Sequence, residues 1–222
     1  MDTSAVRRNI LARIRSAQGR QGAPTDAERA AADEYVARHP AGPRLSLPST
    51  RDELIARFRL EAERLSTTVA EIDSLDAAPT EAARYLQSLG LALDVVAWPA
   101  HSGLPFDQAG IRVSFRKPED ADLVGITSCF CATAETGSLV LLSGADTLAS
   151  GALLPQTHLA IVPASRIVAA HEDAFALMRA ERGELPRAVN FVSGPSRTGD
   201  IEQTIVLGTH GPYVHVIVVR NA

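Results

Sequence analysis

Short apolar runs without polar alternation, separated by helical stretches, constrain this chain of 222 residues most strongly. Leu139–Leu142 reads L-V-L-L and Val216–Val219 reads V-I-V-V. Strands of this kind are covered on both faces, and strands that alternate with helices pair in parallel. The pattern therefore predicts an α/β fold, a three-layer sandwich built on a mostly parallel sheet.

A helical arm precedes this pattern. Residues 4–17, 26–38 and 51–65 have helical periodicity or helix-start signals, and a segment with three prolines and a glycine separates the second from the third. We expect an N-terminal helical arm over residues 1–66 and an α/β domain over residues 67–222. The sequence leaves open whether the arm lies over the domain or reaches a neighbouring subunit in a homo-oligomer.

Composition and charge exclude several classes of protein. The net charge of −4 does not indicate a nucleic-acid partner, and no apolar run approaches the roughly 20 residues that span a bilayer. The first residues lack the basic and apolar segments of a secretory signal. Cys129 and Cys131 are too few for a disulfide framework. These features predict a cytoplasmic protein.

The two cysteines form a C-x-C pair. Two thiolates fall short of the four ligands that zinc or an iron–sulfur cluster usually takes, and no nearby histidine completes a set. We therefore expect two buried thiols and no bound metal. Ligation shared with a second subunit is the alternative.

The stretch 193–212 concentrates groups that suit an anion. Gly194 begins a turn, and Asp200 can cap a short helix over residues 201–207. The free N–H groups of that helix favour a phosphate or carboxylate. The polar side chains expected beside them are Ser196, Arg197 and Thr198. A well-capped surface turn is the alternative interpretation.

Three further residues are candidates for chemistry. Glu135 precedes a buried strand, where a carboxylate serves as nucleophile or base; shaping the turn is the equal alternative. His210, followed by Gly211, can bind an anion or move a proton, or simply cap a turn. His158 is a weaker candidate for the same pocket. No spacing matches a P-loop, a dinucleotide fingerprint or a serine-hydrolase elbow.

Five segments together resemble the lactate-utilisation (LUD) domain family, in its small protein C type. The matching segments are Gly125–Thr127, Ala134–Ser138, Leu154–Pro155 with His158, Gly194–Glu202 and Gly208–Pro212. The likeness extends over about residues 67–220. Ser138 stands where the family usually has threonine, and Ser128–Cys131 fills its segment unusually.

The resemblance implies a fold similar to the sugar-phosphate isomerase and coenzyme A transferase superfamily. It also implies a part in oxidising L-lactate to pyruvate beside two partner proteins, one of them rich in iron–sulfur clusters. This type of protein is not known to bind a redox cofactor itself, so the electrons would pass through the partner.

Three functions remain open from the sequence. The first is an accessory subunit for lactate oxidation, with Arg197 holding a carboxylate and His210 assisting. The second is a stand-alone transferase or isomerase in which Glu135 attacks an acyl thioester or acts on a phosphosugar. The third is a small-anion-binding module without catalysis.

Overall fold

The computed structural model of the chain describes residues 3–20, 22–39, 42–43, 46–199, 206–208 and 211–222. The chain divides into two compact units, Met1–Leu45 and Ser46–Ala222. The first unit contains helices α1 (Ser4–Ala17) and α2 (Asp26–Arg38), at the predicted residues. No residue of either helix is buried.

The second unit contains the remaining helices and all the strands of the described residues. The helices are α3 (Arg51–Arg64), α4 (Ala78–Ser88), α5 (Ser150–Leu153) and α6 (His171–Arg182). The strands are β1 (Thr68–Ile72), β2 (Asp94–Ala97), β3 (Arg112–Ser114), β4 (Val124–Ser128), β5 (Cys131–Thr133), β6 (Ser138–Leu142), β7 (Thr157–Pro163), β8 (Ile167–Val168), β9 (Val189–Val192), β10 (Arg197–Thr198), β11 (Val206–Leu207) and β12 (Tyr213–Val219). Among the helices described, none is both long enough and apolar enough to cross a membrane.

Six strands form a central sheet in the order β1-β12-β7-β4-β2-β3, and all neighbouring pairs are parallel. The apolar end of β12 is buried on both faces. Val216 and Val218 pack in the cluster that includes α3, whereas Ile217 and Val219 pack in the cluster that includes α4. The prediction of an α/β fold with a mostly parallel, doubly covered sheet is confirmed.

A second sheet, which the sequence did not predict, lies between the central sheet and α6. Its order is β8-β5-β6-β9, with β6 antiparallel to both of its neighbours. Leu139 faces the cluster of α3, while Val140 and Leu142 pack against Met178 of α6. Alternate residues of β6 are therefore buried on opposite sides, which explains its apolar run.

The observed boundary between the units differs from the expected one at residue 66. Helix α3 belongs to the second unit because its apolar stripe completes the core: Ile55, Phe58 and Ala62 are at most 2% exposed. Burying a side chain as large as Phe58 contributes about 3 kcal/mol. The change of sequence pattern after residue 66 therefore marks the start of the strands and not the edge of the domain.

The predicted short helix over residues 201–207 is wrong at its last two residues. Val206 and Leu207 form β11, which pairs antiparallel with Arg197 and Thr198 of β10. These two residues therefore take part in the hydrogen bonds of a two-stranded ribbon and not in those of a helix. The proposed cap Asp200 and the segment up to residue 205 lie outside the described residues.

Candidate functional site

Two polar turns meet the C-terminal end of α3. Gly137 has φ of +61°, and a Cβ atom there would lie 2.2 Å from the backbone N of Ala62. Gly194 has φ of +81°, and its Cβ would lie 2.4 Å from the carbonyl O of Leu65. Only glycine permits both this backbone conformation and this close approach. We call the two segments, residues 134–138 and 193–198, the polar corner.

Hydroxyl groups link the two segments of the polar corner. The Ser138 Oγ lies 2.6 Å from the Ser193 Oγ and 2.7 Å from the Thr136 Oγ1. The Thr136 Oγ1 also lies 2.9 Å from the Thr133 Oγ1 and 3.4 Å from the Nε2 of His171. Each hydroxyl both donates and accepts, so this chain of hydroxyls can reverse its direction of donation or pass a proton toward an imidazole.

The backbone of Glu135 is held firmly. The Ala134 N–H donates to the Val168 carbonyl at 2.8 Å, and the Glu135 N–H donates to the Ala169 carbonyl at 2.9 Å. The half-buried Glu135 carboxylate forms no hydrogen bond or ion pair with the described residues. It lies in the turn between β5 and β6, and its role as nucleophile, base or turn residue stays a prediction.

The turn at Ser196 contacts the start of the last strand. A Cβ on Gly211 would lie 3.1 Å from the Cβ of Ser196, and the Gly208 N–H donates to the Ser196 carbonyl at 2.9 Å. The Arg197 guanidinium is exposed and donates to the Ser66 Oγ at 3.3 Å. The segments before and after the ribbon therefore do meet. His210, which was expected to join them, lies outside the described residues.

His158 lies inside the fold and not on a loop. It is fully buried in β7, and its Nε2 lies 2.7 Å from the Thr127 Oγ1 of β4. Its Nδ1 has no hydrogen-bond partner among the described residues. Burial lowers the pKa of His158 to about 4, so the ring is neutral at pH 7 and cannot supply a positive charge to an anion.

Two further histidines are buried, although their sequence context predicts surface or edge positions. Burial also lowers the pKa of His101, opposed by a hydrogen bond to the backbone of Thr127. His215 stacks on Tyr85 with ring centroids 3.9 Å apart, and its Nδ1 lies 2.7 Å from the Thr68 Oγ1. Its place inside the apolar run of β12 was the signal that could have identified it as buried.

The cysteines behave as ordinary interior thiols. Cys131 is buried and Cys129 is half-buried. Burial raises the pKa of Cys131 to about 12, and burial together with the neighbouring Cys131 raises that of Cys129 further. Both thiols are therefore protonated at neutral pH. Across the described ranges, no three His, Cys, Asp or Glu residues are grouped so as to hold a metal ion.

Sequence reasoning missed three members of the hydroxyl chain, Thr133, Thr136 and Ser193, and the imidazole at its end, His171. They become neighbours only because β6 pairs with β9, with Leu139 opposite Val192, and because β5 pairs with β8. The hydroxyl-rich composition of residues 133–138 was the available signal.

These features define an α/β protein with a parallel sheet, a second mostly antiparallel sheet and a polar corner beside α3. A family model for the LUD domain matches residues 48–219, and the chain belongs to the LUD domain family. The match includes α3, in agreement with the boundary between the two units. The resemblance drawn from the five sequence segments is confirmed.

Relatives and a solved structure agree with this assignment. Lactate utilization protein C of Bacillus licheniformis is 32% identical over 73% of this chain and 76% of that protein. The protein of the same name from an Exiguobacterium species is 31% identical over 95% of this chain and 94% of that protein. A DUF162 family protein from Deinococcus radiodurans, 23% identical, has the same fold with a TM-score of 0.59, over 78% of this chain and 100% of the other.

Proposed function

We propose that this chain acts in lactate utilisation as a subunit that holds a small carboxylate at the polar corner, while a partner carries the electrons away. One observation supports this most: relatives that match 72–95% of the chain are named lactate utilization protein C. The likeness extends along nearly the whole chain in one case, so it is not limited to the fold's core.

The polar corner has suitable groups for this role. Arg197 is exposed and donates to the neutral Ser66 hydroxyl, and no carboxylate of the described residues pairs with its guanidinium. A guanidinium binds a carboxylate with two parallel, charge-assisted hydrogen bonds. The hydroxyl chain ending at Ser193 supplies further donors nearby. L-Lactate and pyruvate both carry the carboxylate that this arrangement recognises.

Oxidation of L-lactate to pyruvate removes two electrons and two protons. In this proposal the electrons pass to iron–sulfur clusters of a partner protein, and the chain itself binds and orients the carboxylate. The candidates for accepting a proton are His210 and, through the chain of hydroxyls, His171.

Complementation of a gene deletion tests the proposal. In a strain with no redundant system, deletion is expected to stop growth on L-lactate, and the wild-type gene is expected to restore it. Arg197→Gln should restore growth poorly. The matched control Arg187→Gln, which changes another exposed arginine outside the polar corner, should restore it fully. Normal growth of the deletion strain, or equal rescue by both variants, would contradict the proposal.

The Glu135 carboxylate, which has no side-chain partner among the described residues, favours a second candidate, a stand-alone acyl transferase. A carboxylate oxygen of Glu135 would attack the thioester carbonyl; the C–S bond breaks, the thiolate leaves, and a mixed anhydride remains on the protein. Mass spectrometry after incubation with acyl-coenzyme A tests it, with Glu135→Gln as control. Absence of an acyl adduct on wild-type protein would remove this candidate.

A third outcome would identify a binding module: the protein binds an anion saturably, forms no acyl adduct, and its deletion does not affect growth on lactate.

A further inference from the structure

A cavity of about 190 Å³ opens at the carboxyl ends of β2 and β4, apart from the polar corner. Its floor is apolar and comes from the buried end of β2, Val96 and Ala97, and from Ile126 in the middle of β4. An apolar cavity of roughly 150 Å³ accommodates a benzene ring, so this one suits a branched aliphatic group or a phenyl ring.

The cavity lies where the strand order reverses. The chain runs from β2 outward to the edge strand β3, and then returns to β4 on the other side of β2. The crevice between β2 and β4 is therefore the topological switch point of the sheet. In open parallel sheets, ligands bind in the crevice outside the carboxyl ends of the strands at such a point.

One wall of the cavity is fixed by Trp98. The indole Nε1 donates to the Leu148 carbonyl at 3.2 Å, which holds the ring in place. Gly151 makes room for it, because a Cβ there would lie 2.8 Å from that Nε1. The wall is thus built before any ligand arrives, which reduces the entropy lost on binding.

Charges of both signs border the mouth. Arg116 is already paired with Asp122, at 2.6 and 2.8 Å. Lys117 and Asp146 also line the cavity, and neither side chain forms an ion pair with the described residues. Lys117 is the only lysine of the chain. Lys117 and Asp146 thus offer one positive and one negative charge beside the apolar floor of the cavity.

We propose that this cavity binds a small zwitterion with an apolar side group, the chemical class of the apolar α-amino acids. The ligand carboxylate pairs with Lys117, its ammonium pairs with Asp146, and its side group fills the space between β2 and β4. A simple anion would leave Asp146 facing its carboxylate, which is unfavourable. The site goes beyond the lactate-related function, because it uses different residues and a different ligand.

Fluorescence of the full-length protein tests the proposal, because Trp98 is its only tryptophan. The probes are L-leucine, 4-methylpentanoate, which lacks the ammonium group, and isopentylamine, which lacks the carboxylate. L-Leucine is expected to change the emission saturably, and the two probes with one charged group each should bind about fivefold more weakly. Calorimetry on the same samples verifies that the signal reports binding.

Variants separate binding at this site from nonspecific effects on the emission. Lys117→Met and Asp146→Asn should each weaken L-leucine binding about fivefold, and Ala145→Leu, which fills the mouth, should abolish it. The matched controls Arg187→Met and Glu184→Gln change exposed charges outside the cavity and should have no effect.

Three results would overturn the proposal. The first is no saturable signal with L-leucine up to about 20 mM. The second is 4-methylpentanoate binding as tightly as L-leucine and indifferent to Asp146→Asn. The third is a signal that survives Ala145→Leu. Lactate-dependent growth of the Lys117 and Asp146 variants is expected to stay normal, so failure here is distinguishable from failure of the lactate-related function.

Discussion

Replacing Gly137 by alanine tests whether α3 is held against the polar corner. A Cβ at this position would lie 2.2 Å from the N atom and 2.7 Å from the Cα atom of Ala62, and the backbone has φ of +61°. The left-handed conformation costs alanine about 1 kcal/mol, and moving a packed helix to relieve the overlap costs about 2 kcal/mol more. We therefore expect Gly137→Ala to lower the free energy of unfolding by about 3 kcal/mol.

Gly110 provides the matched control. It is also left-handed, with φ of +72°, but a Cβ there would meet only the Leu93 side chain at 3.9 Å, so Gly110→Ala should lose only about 1 kcal/mol. Urea denaturation followed by circular dichroism and by Trp98 fluorescence gives both values, provided that the m-values stay unchanged. Equal losses in the two variants would refute the close contact between Gly137 and α3.

Three other perturbations probe the same account. Phe58→Ala should lower the free energy of unfolding by about 3–5 kcal/mol in urea denaturation, because the ring is fully buried in the core of α3. The free energy of unfolding should fall as the pH drops from 6.5 to 4, because folding lowers the pKa of His158 and of His215 to about 4 and the unfolded chain therefore binds more protons. At pH 5 the expected loss is about 2 kcal/mol for each histidine. A urea midpoint that stays constant across this range would contradict this. A chain that starts at Ser46 should still unfold in one cooperative urea transition, since α3 and the strands of both large sheets lie within the unit Ser46–Ala222; loss of that transition would contradict this.

The sequence predicted those parts of the fold whose signal is local. The bounds of α1 and α2 are found at the predicted residues, and the apolar run Val216–Val219 lies in β12, because helix periodicity, start signals and a continuous apolar run are properties of neighbouring residues. The second sheet escaped prediction because β5 has three residues and β8 has two. Such short strands exist only through their partners, and no local pattern marks them.

The candidate site, like the fold, could be predicted only where its signal is local in the sequence. Glycine positions such as Gly137 and Gly194 stand out in the sequence, but the reason for them, contact with α3, is a property of the folded chain. The hydroxyl chain likewise needs the pairing of β6 with β9. Strand β11 was mistaken for a helix end because its ladder with β10 is not visible in a window of a few residues.

Calorimetric titration of L-lactate and of pyruvate into the full-length protein decides whether the polar corner is a carboxylate site. We expect saturable binding that Arg197→Gln weakens about tenfold and that Arg187→Gln leaves unchanged, as expected for the loss of one charge-assisted pair. Absence of binding by either acid, or equal affinity of the Arg197→Gln variant and the wild type, would contradict a carboxylate site at the polar corner.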